Sequence, residues 1–446
     1  MLSRLRASIL LVMMPTTAPL ALAGEGLPEV PATRPELKAF LEASKKNVPR
    51  LPMPELSEAD REKMSRANWS GADWSVYNNG RTRKFYLPPE LADVSNLRAD
   101  DPAMTLGPRF QTMLFWIVSR ANNCTYCMGH QESKLAALGM VDDQVAELDG
   151  SWSRFTEKDK AAFEFARKLT YQPHRIRDDD IKILKRYYSD VQVLEIINAV
   201  ANFNAMNRWT GALRIPQEEH RAYLTPTSEK HRDALSRQAP LDLEHLNKSG
   251  KNFARPSNRP ALEPRGVVEE ALADCREREP RLALESEAKA QDVTGCDSNV
   301  AKTEWAQLLA AFPKSGRIKV TMHVAAETKG KLAPLLRAQI AWIAARNDRS
   351  WYALGHAKAR LAELGQDEKA IFALDQGDFE AYPPASRAVF SLTRKLTDDP
   401  ALVEDADIAN LREHFSDKEV AEIVFQITEA AYFDRLTEAA GLRLEE

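Results

Sequence analysis

The feature that most limits what this chain can fold into is an internal repeat. "FWIVSRANNCTYCMGHQESKLAALG", beginning at Phe115, is matched without a gap by "AWIAARNDRSWYALGHAKARLAELG", beginning at Ala341, an offset of 226 positions. Ten of these 25 positions are identical, among them Trp116/Trp342, Arg120/Arg346, Tyr126/Tyr352, His130/His356 and Gly139/Gly365. Downstream, "FARKLT" ending at Thr170 meets "LTRKLT" ending at Thr397, and "YSDVQVLEIINAV" meets "FSDKEVAEIVFQI", now at an offset of 227. Upstream, "VPRLPMPELSE" around Pro49 resembles "EPRLALESEAK" around Pro280. A unit written twice is expected to fold twice, each copy burying apolar surface that the other exposes.

The period inside the unit is helical. In "PRFQTMLFWIVSRANN" the apolar residues Phe110, Met113, Leu114, Ile117 and Val118 recur at the spacing of one helical face. A helix carrying Cys124 follows, with Asn122 or Asn123 as its expected cap and Gly139 as its stop. Further helices are expected over "EKDKAAFEFARKLT", over "DDDIKILKRYYS" after Pro173, and over "DVQVLEIINAVANFNAMNRWTGAL", which ends near Pro216. No alternating strand pattern or Asn-Gly hairpin stands out, so the fold class is all-α, two tandem helical domains each preceded by an arm. The expected boundaries are a leader over 1–23, an N-terminal arm over 24–106, a first domain over 107–226, a linker over 227–260, a second arm over 261–330 and a second domain over 331–446. The linker assignment follows its wealth of Pro, Ser, Asn and charge. The first arm carries Trp69, Trp74, Tyr77, Phe85 and Tyr86, aromatics that need a surface to pack on.

The opening "MLSRLRASILLVMMPTTAPLALAGEG" places Arg4 and Arg6 before an apolar run and Ala21 and Ala23 before Gly24, the three-part pattern of a secretory signal peptide cleaved after Ala23. Export to the periplasm or the extracellular space is therefore expected, with no membrane attachment after cleavage. Charged residues make up 28% of the chain with a net charge of -4 and both signs interspersed, which gives no basic face for nucleic acid. Four cysteines in 446 residues are too few for a disulfide scaffold.

Three of the residues with most chemistry stand together as Cys124, Cys127 and His130. A helix beginning near Asn123 holds both thiols in its first turn, where free N–H groups and the helix dipole favour a thiolate. A thiol of lowered pKa with a second thiol three residues on can react with an oxidant and be resolved as a disulfide. His130 projects to nearly the same face and could exchange a proton with Cys127, while Gln131 can hydrogen-bond but not titrate. Covalent haem attachment needs His directly after the second cysteine, where Met128 stands. Structural zinc needs four ligands, and no second cysteine pair accompanies this one. Neither a cofactor nor a metal is expected. The competing interpretation is a pair of buried, inert thiols on a core helix.

At these residues the chain resembles the AhpD-like alkylhydroperoxidase and carboxymuconolactone decarboxylase superfamily. The resemblance rests on "FWIVSRANNCTYCMGHQESKL" and on the late helix "ANFNAMNRWTGALRIP". It covers about residues 107–217, and residues 333–443 in degenerate form. It implies an all-helical, commonly oligomeric protein with thiol peroxidase or disulfide reductase chemistry, in which Cys127 attacks hydroperoxide and Cys124 resolves it. The electrons would come from an unidentified thiol donor. Two positions depart from the family pattern: Gln131 stands in the slot of the relay histidine, with His130 one position earlier, and Thr112 stands where the relay glutamate is expected.

The second copy has Ser350 and Ala353 at the thiol positions, so it is expected to have kept the packing without the chemistry. His356 survives beside those positions, which equally suits a structural role for His130. Cys275 and Cys296 are expected to form a structural disulfide in an exported protein, worth on the order of 3 kcal/mol in the loop-entropy description. A non-catalytic helical binding or scaffold protein, with the Cys124–Cys127 disulfide as a clamp, is the alternative function.

Overall fold

The computed structural model describes residues 34–52, 57–58, 78–95, 100–150, 152–171, 173–218, 261–377 and 379–445. The expected leader, the linker over 227–260 and the aromatics Trp69, Trp74 and Tyr77 lie outside the described residues. Among the described residues the fold is all-α, without a strand. The helices are α1 (Arg34–Ala43), α2 (Asn79–Tyr86), α3 (Pro89–Ser95), α4 (Pro108–Ala121), α5 (Thr125–Ala137), α6 (Asp142–Asp149), α7 (Glu157–Tyr171), α8 (Asp178–Lys185) and α9 (Asp190–Ala212). They continue with α10 (Arg265–Glu277), α11 (Glu287–Thr294), α12 (Ser298–Ala301), α13 (Glu304–Leu309), α14 (Ser315–Thr328), α15 (Pro334–Asp348), α16 (Trp351–Glu363), α17 (Glu368–Ala373), α18 (Pro384–Asp398), α19 (Asp405–Arg412) and α20 (Asp417–Ala440). None of the described helices is long and apolar enough to cross a membrane.

Local chemistry starts the long helices in the same way in both copies. Ser189 accepts the Gln192 N–H while Gln192 reaches back to the Ser189 N–H, and Ser416 and Glu419 do the same at the start of α20. Each reciprocal pair satisfies two of the N–H groups that a helix start leaves open. α9 and α20 are buried around most of their circumference and pack against each other. Each also reaches the other copy's FARKLT/LTRKLT helix: Arg208 of α9 donates to the Thr397 carbonyl of α18 at 2.8 Å and Arg435 of α20 to the Thr170 carbonyl of α7 at 3.1 Å. Both guanidinium groups are wholly buried.

The repeated sequence carries repeated contacts elsewhere. Glu195 accepts the Thr105 and Leu106 N–H groups, and Glu422 accepts those of Lys331 and Leu332. Arg120 pairs with Asp149 at 3.0 Å and Arg346 with Asp375 at 2.8 Å. The apolar residues of both copies belong to one contiguous core running from Leu37 to Leu444. Arm residues join it too: Leu37, Leu41, Tyr86 and Leu91 are buried, α1 packs on α5, and α3 packs on α14 across the repeat.

Candidate functional site

The site is assembled where α4 ends, α5 begins and α9 crosses them. Asn122 closes α4 and donates to the side-chain carbonyls of Asn204 and Asn207 on α9, each at 3.0 Å. Asn123 then turns through a left-handed conformation at φ 50, which an asparagine tolerates better than most residues. That turn moves the cap one residue past the asparagines. The N-cap of α5 is Cys124 itself, whose sulfur accepts the Cys127 N–H at 3.3 Å. The expected caps, Asn122 and Asn123, instead brace α4 against α9 and make the reversal.

The thiols share one further partner. The Thr210 hydroxyl on α9 lies 3.1 Å from the Cys124 sulfur and 3.2 Å from the Cys127 sulfur. Cys124 is 4% exposed and Cys127 3% exposed. Burial alone would raise both thiols. For Cys124 the hydrogen bonds from the Cys127 thiol, the Thr210 hydroxyl and the Cys127 backbone outweigh burial and set its pKa below the ordinary thiol value. Burial pushes Cys127 well above that value, and donating to the neighbouring Cys124 raises it further. Of the two, Cys124 is the thiol disposed to ionise.

His130 Nε2 lies 2.9 Å from Glu218 Oε2, and the Tyr126 hydroxyl donates to Glu218 Oε1 at 3.0 Å. The Tyr126 and His130 rings lie 4.4 Å apart. Glu218 is held over α5 because its neighbour Gln217 donates to the carbonyls of Thr125 and Tyr126 at 2.8 and 2.5 Å. The carboxylate that partners the histidine thus comes from the segment after α9, not from the α4 position occupied by Thr112. Thr112 is buried and bonds back to the Pro108 carbonyl of its own helix at 2.7 Å. Gln131 is buried and its amide donates to the Cys127 carbonyl at 3.3 Å, bracing the turn that carries that thiol.

Glu218 and Thr210 were not picked out in the sequence, though the repeat carries both. At the downstream offset of 227 they fall on Glu445 and Thr437. The second copy reproduces the arrangement: Tyr352 donates to Glu445 at 2.7 Å, His356 pairs with Glu445 at 3.0 Å, and the Ser350 hydroxyl lies 3.4 Å from that of Thr437. Gly355 lets the chain end lie this close, since a Cβ there would stand 2.3 Å from Leu444. A His–Glu–Tyr cluster therefore exists with and without thiols beside it.

The expected bridge between Cys275 and Cys296 is absent: all four cysteines are free thiols. Cys275 donates to the Leu442 carbonyl at 3.6 Å, and burial pushes its pKa up to about 11. Cys296 accepts from the Thr294 hydroxyl at 2.9 Å. Each sulfur has a local polar partner in its own part of the second copy. Among the described residues no group of three or more His, Cys, Asp or Glu side chains is placed to hold a metal ion. No protein-family model matches the chain, and comparison with characterised proteins finds no significant match.

Proposed function

We propose that the chain is an exported thiol-dependent peroxidase or disulfide redox protein of the AhpD-like type, acting through Cys124 and Cys127. The observation that carries this proposal is the environment of one sulfur. Cys124 caps α5 with the Cys127 N–H on its sulfur, the Thr210 hydroxyl beside it and a second thiol in hydrogen-bond contact. That is a thiolate site with its resolving partner in place.

The order of events is opposite to the one the family resemblance implies, because the hydrogen bonds favour the anion at Cys124. The Cys124 thiolate attacks the terminal oxygen of a hydroperoxide, the O–O bond breaks, and the alkoxide leaves. A proton passed from the His130–Glu218–Tyr126 cluster converts it to the alcohol. Cys124 is now a sulfenic acid. Cys127 gives up its proton and attacks that sulfur, the S–S bond forms and water leaves. An external dithiol, or two thiols, then reduces the disulfide and is itself oxidised.

Burial of both thiols favours a second reading, a helical scaffold or binding protein in which the pair only clamps the start of α5. Stopped-flow oxidation of the reduced protein separates the two, with hydrogen peroxide and an organic hydroperoxide as oxidants. The peroxidase reading expects fast oxidation, loss of it in Cys124→Ser, and a sulfenic acid trapped by dimedone in Cys127→Ser. A wild type that reacts no faster than a free thiol leaves the scaffold.

A further inference from the structure

Both thiols are buried, so a hydroperoxide needs a route to them, and the repeat shows where that route lies. In the second copy a cavity of about 50 Å³ reaches Ala353 and His356, the repeat positions of Cys127 and His130. Its walls include Ala341 of α15 and Ala430 and Phe433 of α20. In the first copy the same positions are Phe115 of α4 and Phe203 and Met206 of α9. Two aromatic rings thus replace two alanines on the approach to the thiol position. The rings and the thiols occur in the same copy and are missing from the same copy.

Contacts within the first copy also put the ring pair beside the thiols. The Phe115 and Phe203 rings stack 3.8 Å apart and 8° from parallel, and both are half-buried. Ser119 lies one turn after Phe115 and Asn207 one turn after Phe203, each on the helix face of the ring before it. Asn207 donates to the Ser119 hydroxyl at 3.2 Å, and its amide also hydrogen-bonds the Cys127 thiol. The ring pair is therefore a layer one turn above the asparagine that touches Cys127, and Cys127 is in hydrogen-bond contact with Cys124. Half-burial leaves part of this flat apolar layer open to solvent. Met206, also half-buried, adds a thioether that adapts to irregular apolar shapes.

We infer that Phe115 and Phe203 determine the specificity of the dithiol, and that they recognise a hydroperoxide with a planar apolar body such as an aryl ring. The body lies against the ring pair while the O–O group reaches toward Cys124 and Cys127. This inference rests on the peroxidase reading above. A flat ring gains more on an aromatic face than an aliphatic group does, through stacking added to the burial of apolar surface. The reaction itself is unchanged: the thiolate sulfur takes the terminal oxygen, the O–O bond breaks, and the alkoxide takes up a proton and leaves as the alcohol.

Cumene hydroperoxide and tert-butyl hydroperoxide provide the test, because they differ only by a phenyl ring in place of one methyl group. In stopped-flow oxidation of the reduced full chain, each rate is divided by that of a free thiol with the same oxidant. The cumyl compound is then expected to react roughly tenfold faster than the tert-butyl compound. Phe115→Leu and Phe203→Leu keep apolar bulk and remove a flat face; in each, the ratio is expected to fall to about twofold or less, with folding checked by near-ultraviolet circular dichroism. Phe115→Tyr keeps the ring and is expected to keep the ratio. A wild type that hydrogen peroxide oxidises rapidly, but that shows no preference for the cumyl compound, overturns this inference alone. So do folded leucine variants that retain the wild-type ratio. A wild type that none of the three oxidants attacks faster than a free thiol refutes the peroxidase reading, and this inference with it.

Discussion

Thr210→Val isolates the hydrogen bond that both thiols share. The Thr210 hydroxyl has one proton. It lies 3.1 Å from the Cys124 sulfur and 3.2 Å from the Cys127 sulfur, and it is also placed to donate to the Met206 carbonyl at 3.0 Å. When Cys124 ionises, the proton is better used on the sulfur anion. A hydrogen bond to a charged group contributes about 1.5–3 kcal/mol and the neutral bond it replaces about 0.5–1.5, leaving a gain of roughly 1–1.5 kcal/mol. Valine keeps the shape and removes this gain, so the thiolate fraction of Cys124 should fall roughly five- to twelvefold below its midpoint. Because only the thiolate is nucleophilic, alkylation of Cys124 by iodoacetamide should slow by the same factor when followed by peptide mass spectrometry. Thr210→Ser retains the hydroxyl and should react nearly as the wild type does. Equal rates in all three proteins would refute the account of Cys124 ionisation.

Four other outcomes follow from the contacts described. Glu218→Gln should lower hydroperoxide turnover about a hundredfold, the scale of a lost general acid, while leaving Cys124 alkylation unchanged; unaltered turnover would remove the His130–Glu218–Tyr126 cluster from the reaction. Arg435→Met removes the guanidinium that pairs with Asp348 where both side chains are wholly buried, so urea unfolding should show a loss of about 3–5 kcal/mol, and a loss well under that range would mean that the pair contributes little to stability. Asp434 has a raised pKa in the folded chain, so its stabilising contribution is largest at low pH and declines as pH climbs from the ordinary carboxylate range through the raised value. Asp434→Asn removes that decline and should gain in Tm on the wild type as pH rises from about 4 to 7, whereas a Tm difference constant with pH would contradict it. Cys275, with its pKa pushed up to about 11, should resist iodoacetamide at neutral pH until the chain is unfolded, and rapid labelling of the native protein would show that its packing opens.

The helices, the repeat and the two thiols at the start of one helix were legible in the sequence, because each depends on residues close together in the chain. Apolar spacing marks a helical face wherever the helix ends up, and the Ser189 and Ser416 capping pairs act within three residues. The cap of α5 is Cys124, just past the two asparagines expected to form it. Which of Asn122, Asn123 and Cys124 caps the helix depends on Asn122 being drawn to Asn204 and Asn207, more than eighty positions away. The partner of His130 was missed for the same reason: Glu218 follows α9, and only the crossing of α9 over α5 brings it to the ring. What separates Cys124 from Cys127 as the more acidic thiol is local, the Cys127 N–H and thiol both serving the Cys124 sulfur, whereas Thr210 contacts both thiols and the burial that raises both comes from tertiary packing. Local periodicity sets the elements because a backbone hydrogen bond joins near neighbours. Charge and ionisation are settled by tertiary structure, because burial and the polar groups from distant helices fix the free energy of each ion.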